Sequence, residues 1–290
     1  MSAHPGFAPA KVNLYLHVGD PGADGFHPIH SLMVFADLGD ELTLSPTSEL
    51  EFTVDGAFAD GLGQENLVVR ARDMLLALVG TPPPSFGLNL MKNLPIASGL
   101  GGGSADAAAT LRLVSARLGL DPAGEPVARI ARTLGSDVPA CLGGQPVLAS
   151  RRGDELTPAP AWPALNVVLV NPLVPTPTAA VYRAYDAAPS PSGANAPDLA
   201  PVISARDAAA ILRTCRNDLE DPAVRLRPEI GEVLSLLAAQ PETLLARMSG
   251  SGATCFALCE NGPSAAALEA RIQARAPHWW VRRSVLAGRR

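Results

Sequence analysis

Lysine is nearly absent from this chain: of its 23 basic side chains in 290 residues, only Lys11 and Lys92 are lysines. Arginine supplies positive charge everywhere else, although it does not replace a compact, movable ammonium whose pKa responds to its surroundings. Two retained lysines in such a background point to a chemical use at both places. Long apolar runs are also missing, with no stretch approaching the roughly 18 residues needed to span a bilayer. The N-terminal Met1-Ser-Ala-His-Pro-Gly6 lacks the charged and apolar regions of a signal peptide. A net charge of −5 without a basic cluster argues against nucleic acid as the main partner. The four cysteines, Cys141, Cys215, Cys255 and Cys259, have neither zinc nor redox spacing and are expected to be reduced residues in or near a core. With 47% hydrophobic and 18% charged residues the composition is that of a globular protein, expected in the cytoplasm with no membrane partner. The length allows one large or two ordinary domains.

Glycine, by contrast, is concentrated. Four of the five residues from Gly99 to Gly103 are glycine, inside the run Pro95-Ile96-Ala97-Ser98-Gly99-Leu100-Gly101-Gly102-Gly103-Ser104-Ala105. A strongly helix-forming segment follows at once. Residues without Cβ let backbone N–H groups approach a ligand closely. Ser104 is placed to cap the helix, whose open N–H groups and positive dipole end attract an anion. A loop feeding a helix in this way is a phosphate cradle. It matches neither G-x-x-x-x-G-K-[ST] nor G-x-G-x-x-G. The alternative is a flexible linker, against which the apolar, regular flanks stand.

Along the chain, Val12, Leu14, Leu16 and Val18 alternate with polar residues as in a half-buried strand. A turn over Gly22 to His27 precedes an apolar stretch through Leu32, Val34 and Phe35. Leu42 to Leu44 and Leu50 to Val54 read as two further short strands. Leu67 to Val79 reads as a helix capped by Asn66 and stopped by Pro82-Pro83-Pro84. Phe86 to Leu90 is a strand leading into the glycine loop. Leu111, Val114 and Leu118 predict a helix, as do Val127, Ile130, Ala131 and Leu134, the latter ended by Gly135. Beyond residue 155, Asn166 to Val170 and the pair around Met248 to Thr254 predict strands. Helices are expected around Ile230 to Leu237 and through Leu268 and Ile272, then a last strand over Trp279 to Leu286. The Pro/Ser/Ala-rich Pro189 to Pro201 predicts a mobile loop without chemistry. The expected class is α+β in two lobes, residues 1–155 and 156–290.

Three elements need a joint explanation: the glycine loop, Gly135-Ser136-Asp137-Val138-Pro139, and Ser249-Gly250-Ser251-Gly252. Alone, Asp137 is a turn or cap residue and the glycine pair near 250 a tight hairpin. Their order and spacing, together with Pro9-Ala-Lys-Val-Asn-Leu14, resemble the GHMP kinases. Asp24-Gly-Phe-His27, Glu65-Asn-Leu-Val-Val-Arg70, Lys92-Asn-Leu-Pro95 and Pro175-Thr-Pro-Thr-Ala-Ala-Val-Tyr182 resemble, more closely, the branch of that family whose acceptor is 4-diphosphocytidyl-2-C-methyl-D-erythritol. The resemblance implies an N-terminal lobe like domain 2 of ribosomal protein S5 and a ferredoxin-like C-terminal lobe. It implies ATP-dependent phosphorylation of the acceptor's 2-hydroxyl in non-mevalonate isoprenoid synthesis, with ATP as co-substrate and Mg²⁺ on the triphosphate. Asp137 then corresponds to the catalytic base and Lys11 to its neighbouring cation. Pro95 to Ala105 correspond to the ATP phosphate loop, with Asn66 and Lys92 around the nucleotide. Asn13, Phe26, His27 and Tyr182 correspond to the substrate set, with Phe26 and Tyr182 clamping cytosine from opposite lobes while His27 reads its polar edge.

Two positions depart from the family pattern. Ala105 stands where a second serine is usual, and Phe26 where tyrosine is usual, so a hydroxyl is lost at each. Other readings share the residues. Mevalonate or homoserine could be the acceptor, or the fold could sense a ligand without turnover. His27 and His30 could hold a metal, although no carboxylate partner is evident, and Tyr182 could be a core aromatic.

Overall fold

The computed structural model describes residues 4–63, 66–80, 85–189 and 193–288. It divides into two compact units, one formed by Met1–Lys11, Leu38–Ile96 and Gly101–Gly144, the other by Val12–Asp37, Ala97–Leu100 and Gln145–Arg290. This division differs from a single cut after residue 155. The first two strands, β1 (Phe7–Val18) and β2 (Ile29–Ser45), are long, and each contributes its two ends to different units.

In the first unit, the far half of β2 pairs antiparallel with β4 (Gly87–Met91), from Glu41 opposite Met91 to Ser45 opposite Gly87. β3 (Glu51–Asp55) runs parallel to β4 on its other side. Helix α1 (Leu67–Val79) has the predicted bounds: the Asn66 side chain accepts the N–H groups of Val68 and Val69 at 3.0 and 3.1 Å. Helix α2 (Gly102–Arg117) is the centre of the unit and packs against α1, α3 (Glu125–Leu134) and α4 (Val138–Gly143). Its buried face is mostly alanine (Ala105, Ala107, Ala108, Ala109), with Leu111 and Val114, and such small residues let three helices approach one.

In the second unit, β10 (Trp280–Leu286), β7 (Leu165–Asn171), β9 (Cys255–Cys259) and β8 (Thr243–Met248) form consecutive antiparallel pairs in that order. The near half of β2 pairs with β5 (Val147–Arg151), which forms a hairpin with β6 (Glu155–Pro158). Among the described residues, helices α5 (Thr178–Asp186), α6 (Ala205–Arg213), α7 (Glu220–Leu226), α8 (Pro228–Ala238) and α9 (Gly262–Arg275) complete the unit. Val168, Val170, Ile230, Val233, Leu268 and Ile272 lie in its core. All four cysteines are buried and free, as expected.

Three expectations are corrected. β2 is one strand of 17 residues, not two pieces. Within it, Gly39 lies so close to β1 that a Cβ there would sit 2.1 Å from the Ala8 carbonyl oxygen. Segment 193–201 is tied down: the Asn195 carbonyl lies 2.6 Å from His17 Nδ1, and the Gly193 carbonyl accepts from Arg216 at 2.7 Å. Ser104 does not cap α2, which is capped three residues earlier by Gly101. The predicted Pro82 to Pro84 break lies outside the described residues, as does Glu65.

Candidate active site

Gly135 ends α3, and the chain turns so that Asp137 sits just before α4 without using its side chain as a cap. That carboxylate faces Lys11 of β1, with Nζ 2.9 Å from Oδ2. The Lys11 side chain is 6% exposed and that of Asp137 29%, so the ammonium is enclosed while the carboxylate remains reachable. Arg112, which sequence reasoning missed, holds the elements that carry this pair. Its guanidinium donates to the carbonyls of Pro5 (3.1 Å) and Phe7 (2.6 Å) on one side and Cys141 of α4 (3.1 Å) on the other. Burial lowers its pKa. Only its sequence position within the helix after the loop could have signalled it.

Gly101 begins α2 from the left-handed region, at φ +62°. The first helical bond runs from Ala105 N–H to the Gly101 carbonyl at 2.9 Å, so the N–H groups of Gly102, Gly103 and Ser104 precede the ladder. A Cβ on Gly101 would lie 2.9 Å from Lys11 Cε and 3.8 Å from Asp137 Oδ2. The glycine loop therefore places the positive end of a 16-residue helix directly against the lysine–aspartate pair. Ser104 and Ala105 lie within the first turn of that helix, and Pro95 and Ile96 lead into the loop.

Lys92 is not presented to a ligand surface. It is 2% exposed, beneath Gly102, and its ammonium is bound by Asp40 and by Asp106 at 2.8 Å. Asn66 likewise turns its side chain to its own helix and to the Gly63 carbonyl, at 2.8 Å. The side chains of both residues expected around the nucleotide are engaged within the protein.

In the second unit, Asn13 of β1 donates its backbone N–H to Ser249 Oγ at 3.1 Å and its amide to Ser31 Oγ at 2.7 Å. Ser249 Oγ donates to the Gly99 carbonyl at 2.9 Å, and Thr254 N–H to that of Ser98 at 2.9 Å. A Cβ on Gly99 would meet the Ser249 carbonyl oxygen at 2.3 Å, which explains why the small-residue turn after β8 and the glycine loop occur together. Ala97 and Gly99 both adopt positive φ there, and Leu100 is buried.

His27 lies beside Tyr182 of α5, with ring centroids 5.2 Å apart, and edge-on to Tyr185 at 5.6 Å. Its Nδ1 is 2.8 Å from the Gly19 carbonyl and its Nε2 3.0 Å from Asp186. Both ring nitrogens thus face acceptors inside the protein. Phe26 is exposed and carries the Arg152 guanidinium over its face at 4.5 Å. Phe26, His27 and Tyr182 belong to one unit, not to opposite lobes, because Val12–Asp37 groups with the second unit. Tyr182 is partly buried and packs against that unit's core. His30 turns to the Tyr15 hydroxyl at 2.8 Å, and among the described residues no three His, Cys, Asp or Glu side chains converge to hold a metal.

Two family models match the chain: the N-terminal domain of GHMP kinases over residues 66–145, and the C-terminal domain over 200–278. A 4-diphosphocytidyl-2-C-methyl-D-erythritol kinase of Caulobacter sp. (strain K31) is 55% identical over 286 residues, covering 97% of this chain and 98% of that protein. The chain belongs to the GHMP kinases. The kinase of the same name from Hyphomonas neptunium is 49% identical, covering 97% and 96% of the two chains. A crystal structure of 4-(cytidine 5'-diphospho)-2C-methyl-D-erythritol kinase superposes with a TM-score of 0.75 at 34% identity, over 98% of this chain and 99% of that one. Homoserine kinase from Cytophaga hutchinsonii, at 18% identity and a TM-score of 0.66, shares the fold. This GHMP kinase is thus an α+β small-molecule kinase, and its family takes ATP as phosphoryl donor.

Proposed function

We propose that this kinase transfers the γ-phosphoryl group of ATP to the 2-hydroxyl of 4-diphosphocytidyl-2-C-methyl-D-erythritol, giving the 2-phosphate and ADP. The observation that carries the reading is the Lys11–Asp137 pair seated against the N-terminus of α2 at Gly101. Phosphoryl transfer asks little covalent chemistry of a protein; it needs alignment, charge neutralisation and a proton acceptor. Asp137, the more open member of the pair, accepts the hydroxyl proton at its carboxylate. Lys11, 2.9 Å away, holds that carboxylate in place and stabilises charge growing on the attacking oxygen. The N–H groups of Gly102, Gly103 and Ser104 and the dipole of α2 hold the phosphates.

Mg²⁺ fits this donor set as an ion carried by the nucleotide. No cage of three carboxylate or imidazole ligands exists among the described residues, and such an ion is held largely by phosphate and water oxygens. Bound there, it would neutralise triphosphate charge, with the Ser104 hydroxyl at the loop the protein oxygen offered to it. Asn13, His27, Phe26 and Tyr182 line the acceptor side in this reading. His27 orders the Gly19 turn and supports the Tyr182 ring on which cytosine stacks, in place of reading the base with a ring nitrogen.

The test is ATP consumption with the cytidine-linked acceptor set against mevalonate and homoserine. Turnover only with the first is expected. Equal turnover of mevalonate or homoserine would overturn the acceptor assignment.

A further inference from the structure

The phosphate loop has two ends, and one buried cluster holds both. At its entry, Asp40 of β2 accepts the N–H groups of Asn93 and Leu94 at 2.6 and 2.8 Å through Oδ1. Its Oδ2 binds the Lys92 ammonium. The Lys92 backbone is itself pinned, N–H to the Asp55 carbonyl at 2.6 Å and carbonyl to Phe58 N–H at 3.2 Å. At the loop's exit, the same ammonium reaches Asp106 Oδ2 in the second turn of α2 at 2.8 Å. Between cluster and helix start there is room for no side chain: a Cβ on Gly102 would lie 3.1 Å from Lys92 Nζ and 3.6 Å from Asp40 Oδ2.

The composition of the cluster is unusual for a mere structural ion pair. The side chains are 3%, 0% and 1% exposed for Lys92, Asp40 and Asp106, and one cation serves two carboxyl groups. Enclosing an uncompensated second carboxylate is costly, and apolar residues of similar volume commonly serve stability as well or better. Asp106 Oδ1 has no donor partner among the described residues. Burial, with the neighbouring Asp40 acting in the same direction, pushes the Asp106 carboxyl up to about 8 against the opposing pull of Lys92.

We propose that Asp40, Lys92 and Asp106 are positioning residues for catalysis: a clasp that fixes the entry of the phosphate loop relative to the N-terminus of α2, and thereby aims the N–H groups of Gly102, Gly103 and Ser104 at the ATP phosphates. The clasp rests on the reading of this loop as the ATP cradle. It also accounts for the second of the chain's two lysines. The ammonium must fit under Gly102, where a planar guanidinium would press on the helix start.

Steady-state kinetics with ATP and the cytidine-linked acceptor test it, on Lys92→Arg, Asp40→Asn, Asp106→Ala and Asp106→Asn, each checked for a native circular dichroism spectrum. Lys92→Arg, Asp40→Asn and Asp106→Ala are expected to raise KM for ATP about tenfold or more, since misplacement of a binding group by an ångström is that costly. KM for the acceptor should stay within about twofold. Asp106→Asn, which keeps the shape of the neutral acid, should restore ATP affinity close to wild type. If Lys92→Arg or Asp40→Asn does not fold, the Asp106→Ala and Asp106→Asn pair decides alone. Folded variants with unchanged KM for ATP, equal losses for both substrates, or indistinguishable Asp106→Ala and Asp106→Asn kinetics would overturn the clasp. Gly101→Ala separates this from the loop reading. If Gly101→Ala is impaired while the clasp variants are normal, only the clasp fails; if Gly101→Ala has wild-type kinetics, the cradle itself is wrong.

Discussion

Replacing Gly101 by alanine adds one methyl group, and the structure says where its cost falls. The residue sits at φ +62°, a region that costs a non-glycine residue about 1–2 kcal/mol. The new Cβ would also stand 2.9 Å from Lys11 Cε, closer than carbon atoms tolerate, and a tight 3.3 Å from Lys11 Cβ. Lys11 cannot swing away without loss, because it is enclosed and its ammonium is held 2.9 Å from Asp137. Either the ammonium moves or the start of α2 does, and both belong to the reacting constellation. Stability should therefore fall by about 1–2 kcal/mol, a drop in Tm of about 2–8 °C for a chain of this size. Turnover should fall further, by about 10- to 100-fold in kcat, as expected for misplacement of reacting groups by a fraction of an ångström to an ångström. Coupled ADP release at saturating substrates, with calorimetric melting of the same preparation, reads both quantities. Gly143→Ala at the end of α4 is the matched control, since its Cβ would meet no atom within 4 Å. If Gly101→Ala turned over within twofold of wild type, the loop would not abut the lysine and the reasoning would fail.

Asp137→Asn should lower kcat by about 10²–10⁴-fold while ATP binding measured by calorimetry stays nearly constant; retention of more than about a tenth of kcat would remove the base assignment. Lys11→Arg should be far more damaging than an exposed Arg→Lys change such as Arg132→Lys, and near-normal kinetics would show that any cation suffices. Tyr182→Ala should raise KM for the cytidine-linked acceptor about 5- to 150-fold with little change for ATP, from a stacking contribution of about 1–3 kcal/mol. Because the ring also packs on the core and on His27, Tm should fall too, but equal loss for both substrates would leave only the core role. Asp106 carries a pH signature. A carboxyl raised from 3.8 to about 8 by burial contributes stability that is fully present below the unfolded value and is lost as pH rises through about 8. The melting curve of wild type relative to Asp106→Asn should therefore decline between pH 5 and 8.5, and parallel curves would refute the raised carboxyl.

Local physics was legible in the sequence. Asn66 before an apolar periodic run specified the start of α1, and Gly135 the end of α3, because a cap or a helix stop acts within one turn of chain. The glycine loop, Lys11 and Asp137 were also visible, since chemistry restricts the residue types at those places. Three features were decided only by tertiary structure. The start of α2 moved from Ser104 to Gly101 because a left-handed glycine nested against Lys11 opened the helix earlier. β2 ran unbroken through Asp37-Leu-Gly-Asp40 because Gly39 lay against the Ala8 carbonyl and Asp40 was buried under Lys92, 52 residues away in the chain. Lys92 looked like a nucleotide ligand, yet became the centre of an enclosed cluster with Asp40 and Asp106. The surroundings of a charge decide whether it binds substrate or holds the frame. Those surroundings come from pairings distant in sequence, which no local pattern encodes.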